Sequence, residues 1–228
     1  TLVCDAGKFT VRTRLLGERT LNAILATAAV AISQDLPLEP ILQRLEELEP
    51  MRSRLQSVPL ASGAVLIRDE QKSTLETIDA ALDLLEKIPA QRRICVLGQV
   101  SEPPGSQGAV YRRLGERLAS AATHLVLIGD PETRRRYRVG LKAVEAETEL
   151  LYQGMNVLEA IESLRGFLGP GDAVLVKGRD TQCLARISLG LAGSQVRCSA
   201  RTCKVKLTDC DFCGRLETGW AGNPKHVP

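Results

Sequence analysis

A chain of 228 residues with 44 % hydrophobic, 25 % charged and 3 % aromatic residues has the composition of an ordinary globular protein, neither disordered nor collagen-like. Its 30 lysines and arginines against 27 acids leave a formal +3, too near balance for a dedicated nucleic-acid binder, and the scarcity of aromatics argues against base-stacking platforms. No apolar run approaches the about 20 residues that span a bilayer, and no basic region with an apolar signal core opens the sequence, so no membrane contact and a cytoplasmic setting are expected.

In chain order, residues 8–13 alternate like a strand, and helical spacing predicts helices over 20–33 and 38–48. A strand and two helices are too little for an independent core, so 1–50 reads as the end of a neighbouring domain and the start as cut from something longer. From Leu55 onward short apolar strands alternate with amphipathic helices. Strands are expected over 64–67, 93–97, 124–128, 149–151 and 173–176. Helices follow over 75–88, 109–121, 132–144, 157–168 and 184–189, the first opened by the capping box Ser73-Thr74-Leu75-Glu76. This alternation predicts an α/β fold, a Rossmann-like, mainly parallel sheet covered by helices, over 55–192.

Ligands of such sheets bind beyond the carboxyl ends of the strands. Those ends carry Asp69, Gly98-Gln99 with Glu102, Gly129-Asp130, and Lys177-Gly178-Arg179. Asp69 could accept ribose hydroxyls, and Lys177 or Arg179 could neutralise phosphate or a carboxylate; a salt bridge spanning the strand ends is the structural alternative. Arg134 to Arg138 could grip phosphate, or form a solvated helical face balanced by Glu145, Glu147 and Glu149. No G-x-x-x-x-G-K-[ST] loop is present, so this stretch cannot bind and activate a nucleoside triphosphate by itself. His124 and His226 do not build a nucleophilic triad, and His124 reads as structural.

Leu15-Leu16-Gly17-Glu18 before an alanine-rich helix, Val96-Leu97-Gly98 with Glu102 and Gly105, and Gly171 to Gly178 resemble successive landmarks of the Mur ligase family, with its dipeptide-adding branch the nearest. The resemblance runs from residue 9 to about 190 and implies the end of a central domain followed by a whole C-terminal domain. In that family the C-terminal domain closes over ATP and brings in the amine acceptor, while the central domain supplies the phosphate loop. ATP and Mg²⁺ are thus expected only together with a missing central domain, in cis or in trans. The carry-over is incomplete. The family's H-N-x-x-N falls on Arg19 to Ala23 without its histidine and asparagines. Its D-x-Y-N-A-N-P falls on Asp69 to Leu75 and keeps only the acid, and its K-G-S-R becomes Lys177-Gly178-Arg179-Asp180. The resemblance therefore implies nucleotide- or substrate-binding roles for Asp69, Glu102, Lys177 and Arg179. The altered surroundings motivate a second reading, a catalytically degenerate binding or assembly module.

Of 7 cysteines, Cys198, Cys203, Cys210 and Cys213 cluster within 193–228. Four thiolates fill a tetrahedral zinc shell, and Cys210-Asp211-Phe212-Cys213-Gly214 is a knuckle that lets two of them approach one ion. A small zinc-ribbon-like tail with a structural Zn²⁺ is expected, with two disulfides or free buried thiols as rivals. Its flanks Arg197, Arg201, Lys204, Lys206 and Arg215 suit a protein partner better than nucleic acid, since Phe212 is the sole aromatic among them. A third reading makes this ribbon the business end and the Rossmann-like body its scaffold.

Overall fold

The structure, a computed structural model, describes residues 1–5, 7–203 and 209–221. The chain opens in a hairpin, β1 (Leu2–Cys4) and β2 (Gly7–Phe9), followed by α1 (Glu18–Ser33) and α2 (Leu38–Glu47). The strand expected over 8–13 ends at Phe9, because its partner β1 is three residues long and the ladder closes at Leu2 opposite Phe9. Ala28, Ala31, Leu38, Leu42 and Leu45 form a small core of their own beneath the hairpin.

The main sheet has six strands. They are β3 (Gln56–Pro59), β4 (Val65–Asp69), β5 (Arg93–Leu97), β6 (His124–Ile128), β7 (Glu149–Gly154) and β8 (Ala173–Lys177), in the order β3-β4-β8-β5-β6-β7. All pairs are parallel except β3 with β4. The edge strand β3 escapes a search for apolar runs, since Gln-Ser-Val-Pro has none, and Pro59, which lacks a donor, is tolerated at an edge.

Alternate side chains along the strands feed two cores. Ile67, Cys95, Leu97, Leu125, Leu127 and Leu175 pack under α3 (Leu75–Lys87), α4 (Gln107–Ala121) and α5 (Pro131–Ala143). Leu66, Ile94, Val96, Val126, Val174 and Val176 pack under α6 (Val157–Arg165) and α7 (Ala185–Leu191). Helices on both faces explain why these strands read as continuous apolar runs. Because β8 inserts between β4 and β5, successive connections leave β5 and β8 on opposite faces. A crevice opens at their carboxyl ends, the switch point where ligands of such sheets lie.

The capping box is not made. Thr74 takes the N-cap without a side-chain cap bond, while Ser73 is fully buried and its carbonyl accepts the Ser101 N–H at 2.7 Å. Ser73 is thus spent on anchoring the loop after β5.

Helices α4 and α5 touch through glycine. A Cβ on Gly140 would stand 1.9 Å from the Arg112 carbonyl oxygen, and one on Gly115 would stand 2.1 Å from that of Tyr137. Alanine would gain roughly 1 kcal/mol of helix propensity. Both obstacles are backbone, however, so the collision should dominate. Gly140→Ala is expected to lose about 1–3 kcal/mol net, read as a lower urea midpoint at unchanged slope.

Candidate functional site

Between the ends of β5 and β8, the Gly98 N–H donates to the Lys177 carbonyl at 2.9 Å, and the loops beyond diverge around a cleft of about 800 Å³. Gln99, Arg179, Asp180, Gln182, Arg52 and Asp209 are among its lining residues. Gln182 braces the floor: its Oε1 accepts the Gln99 N–H at 2.6 Å and its Nε2 donates to the Ile128 carbonyl at 3.3 Å. Tyr137 Oη donates to the Gly98 carbonyl at 2.9 Å, and Tyr111 Oη accepts the Val100 N–H at 3.1 Å. The loop after β5 is therefore held from below by two tyrosines packed edge-on.

Asp69 and Lys177 meet at the ends of neighbouring strands, Nζ to Oδ2 at 2.8 Å, with side chains 8 % and 1 % exposed. Lys177 also donates to the Lys72 carbonyl at 2.6 Å, and Asp69 Oδ1 accepts the Leu55 N–H at 3.3 Å. Burial pushes the Asp69 carboxyl up and the Lys177 ammonium down, each opposed by the other's charge. Both groups are engaged with protein rather than presented to the cleft. Glu102 stands exposed at a left-handed φ of 49° and is not part of the cleft lining. Arg179 lies on the cleft wall, and its buried Nε has no hydrogen-bond partner among the described residues.

Asp130, at the end of β6, caps α5. The Thr133 N–H, bonded at 2.8 Å, holds its carboxyl below the usual range despite partial burial, and Gln99 Nε2 reaches its other oxygen at 3.1 Å. Of the arginines of α5, Arg135 and Arg136 donate to Glu132 rather than to Glu145, Glu147 or Glu149. Helical spacing of three and four residues accounts for that choice. His124 lies at the opposite end of its strand, packed on Phe167 with Nδ1 2.8 Å from Thr123 Oγ1, a structural place. His226, Lys204 and Lys206 lie outside the described residues.

The tail returns across these strand ends. Arg68 forks onto Asp211, Nη1 to Oδ1 at 2.8 Å and Nη2 to Oδ2 at 3.0 Å, while its Nε donates to Glu70 at 2.8 Å. Where a ribbon was expected, the described tail holds a 3₁₀ turn, Cys210–Phe212, and a short helix, α8 (Arg215–Thr218), with no strand. Arg52 stacks on Phe212 at 4.2 Å. Cys198 sits beneath the tail, its carbonyl 3.0 Å and its sulfur 3.6 Å from Nη1 of the buried Arg186. Cys203 and Cys210 line the cleft instead, together with Cys183. Among the described residues no three His, Cys, Asp or Glu side chains are already drawn together around a metal position.

Arg68, Glu70, Gln182 and Arg186 were not among the candidates read from the sequence. The signal for the first two was present: charges inside the run Val-Leu-Ile-Arg-Asp-Glu need buried partners if the strand is covered on both faces. Arg68 and Glu70 pair locally, but the second carboxylate on Arg68, Asp211, arrives from 143 positions away, which no local pattern shows.

The family model described as "Mur ligase, glutamate ligase domain" matches residues 53–179, more than half of the chain. The chain belongs to the Mur ligase family. It is 28 % identical over 178 residues to the UDP-N-acetylmuramoyl-tripeptide–D-alanyl-D-alanine ligase of Synechocystis, covering 77 % of this chain and 37 % of that protein. Among solved structures it resembles MurF of Acinetobacter baumannii, with a TM-score of 0.69 at 21 % identity, covering 83 % of this chain and 41 % of the other. It also resembles the MurF ligase of Thermotoga maritima in complex with ADP, at a TM-score of 0.63 and 19 % identity over 80 % and 39 % of the two chains. This Mur ligase chain therefore spans well under half the length of these relatives. Among its described residues no helix is long and apolar enough to cross a membrane.

Proposed function

We propose that this chain is the C-terminal part of an ADP-forming amide ligase of peptidoglycan-precursor type, working in the cytoplasm, and that its cleft receives the amine acceptor. In that reaction a carboxylate oxygen takes the γ-phosphoryl group of ATP and ADP leaves; the acceptor amine then attacks the acyl carbon, phosphate departs and the amine gives up a proton. The observation that carries the reading is Arg179 on the cleft wall, whose Nε has no hydrogen-bond partner among the described residues and whose guanidinium suits an acceptor carboxylate. Asp180, which also lines the cleft, gives counter-charge for an ammonium end, so the cleft suits a zwitterion. Asp69 and Lys177 contribute differently, since their mutual pairing leaves nucleotide phosphates to the phosphate loop of a central domain in cis or in trans. Exposed apolar side chains on α1 support such a neighbour: Leu21, Leu25, Val30 and Ile32 are 55, 51, 62 and 42 % accessible.

The test is calorimetric titration of the purified chain with D-alanyl-D-alanine. Saturable binding is expected, weakened about tenfold or more in Arg179→Gln, the worth of a charge-assisted hydrogen bond. Absence of binding, or equal affinity in the variant, would count against the assignment. Adding a Mur-type central domain should then give ADP release that depends on the dipeptide.

A second reading, a non-ligating assembly module, is favoured by one observation: the Arg68–Asp211 fork ties the tail across the strand ends, next to the cleft. Amine-dependent ADP release from the reconstituted pair would rule it out.

A further inference from the structure

Cys183 follows the 3₁₀ turn Asp180–Gln182 at the end of β8 and takes a left-handed conformation, φ 50° and ψ 48°. Its sulfur lies 3.2 Å from the Asp180 carbonyl oxygen, and the residue lines the cleft that Cys210 also lines. The Cys203 N–H donates to the Thr181 carbonyl at 2.9 Å, which brings a second tail thiol to the same wall, where Cys183, Cys203 and Cys210 all line one cleft. The turn bearing Cys210 closes on itself through the Cys213 N–H, bonded to the Cys210 carbonyl at 3.3 Å, so Cys213 follows at knuckle spacing.

Cys198 is placed otherwise. It is 8 % exposed, its N–H donates to the Leu216 carbonyl, and its sulfur faces the Arg186 guanidinium, a cation where a zinc ligand would need the metal. Arg186 also donates to the carbonyls of Cys183 and Gln182, at 3.1 and 3.0 Å. Fixed between the two segments, it supplies positive charge beside a site that four thiolates on Zn²⁺ would make doubly negative.

We propose that the tail is pinned to the Rossmann-like body by a structural zinc ion held by Cys183, Cys203, Cys210 and Cys213. The ligand set thus takes one cysteine from the body and leaves out Cys198. Metal loading would draw the thiols in from the cleft wall and release their protons. It would also give the tail an anchor that its buried apolar residues among those described, Ala200 and Leu216 with Cys198, supply poorly.

The chain, produced with zinc and kept under reductant, should carry close to one zinc per molecule by elemental analysis. Cys183→Ser should weaken retention against a chelator by at least the roughly 10–100-fold that loss of an outer-shell partner costs, whereas Cys198→Ser should leave it near wild type. Cobalt substitution supplies a second signature, with thiolate charge-transfer bands that weaken in Cys183→Ser and persist in Cys198→Ser. Should Cys183→Ser fail to fold, alkylation of the wild type followed by mass spectrometry replaces it: labelling of Cys183, Cys203, Cys210 and Cys213 should rise when zinc is removed. Zinc retention that depends on Cys198 and not Cys183, Cys183 labelling indifferent to zinc, or a Cys183–Cys210 disulfide in a zinc-free chain would each overturn the proposal.

Discussion

Arg68→Met is expected to cost about 3–5 kcal/mol and to loosen the tail, because it removes the buried cation between two carboxylates that stay behind. The side chains of Arg68, Glu70 and Asp211 are 8, 2 and 13 % exposed, so neither acid regains much water when its partner goes. Burial already pushes the Glu70 carboxyl up, and Arg68 is the charge that opposes the rise. The sole tryptophan, Trp220, lies in the tail near Arg215, 5.1 Å from guanidinium to ring, and serves as a local reporter. Urea unfolding followed by Trp220 emission should therefore shift to lower urea than unfolding followed by helical circular dichroism, separating tail from body. Asp211→Asn should lose less, since Arg68 keeps Glu70 and the Ser53 hydroxyl at 3.2 Å. A midpoint for Arg68→Met within the about 0–1 kcal/mol of an exposed pair would show that the fork is solvated and holds nothing.

The fold was legible wherever one strand and one helix explained each other. The apolar runs at 93–97 and 124–128 coincide with β5 and β6, because strands buried on both faces have no reason to alternate. Features set by distant partners were not legible. The strand expected over 8–13 stops where a three-residue neighbour stops, and β3 exists because it pairs with β4, not because of its own composition. Ser73 carries a capping-box signature but answers to Ser101, which the fold places above it.

The site was legible in the same uneven way. Asp69, Gln99, Asp130, Lys177 and Arg179 are found at strand ends because parallel topology puts every carboxyl end on one side. Which of them face a ligand depends on what else fills the crevice, and here the filling comes from more than a hundred residues away. Arg68 meets Asp211 across 143 positions, and Lys177 meets the Lys72 carbonyl across 105. The cysteines show the converse. Clustering in sequence favours Cys198 as a companion of Cys203, yet Cys198 lies against the buried Arg186, whereas Cys183, outside the cluster, lines the cleft with Cys203 and Cys210. Local spacing does not show which cysteines come to share a cleft.

Lys177→Met is expected to destabilise the chain by about 3–5 kcal/mol near neutral pH, and the double change Asp69→Asn with Lys177→Met should recover most of that loss. The single change leaves a carboxylate that is 8 % exposed facing a methyl group, with the Leu55 N–H as its remaining partner. In the wild type burial raises Asp69 and the Lys177 charge pulls it back; without that charge it rises further. The native variant then binds a proton that the unfolded chain has released at its ordinary value of about 3.9, so stability falls as pH rises through this window. The cost of Lys177→Met should accordingly shrink as the solution falls well below pH ~4, where Asp69 is protonated in both states. Urea midpoints for the wild type, both single variants and the double variant at the two pH values measure this directly. The same four proteins separate a structural pair from a ligand site. If Asp69 and Lys177 join two strand ends, the double variant should bind D-alanyl-D-alanine as the wild type does, because Arg179 and the cleft wall are untouched. If the double variant folds with a recovered midpoint but has lost dipeptide binding, the pair reaches the ligand after all.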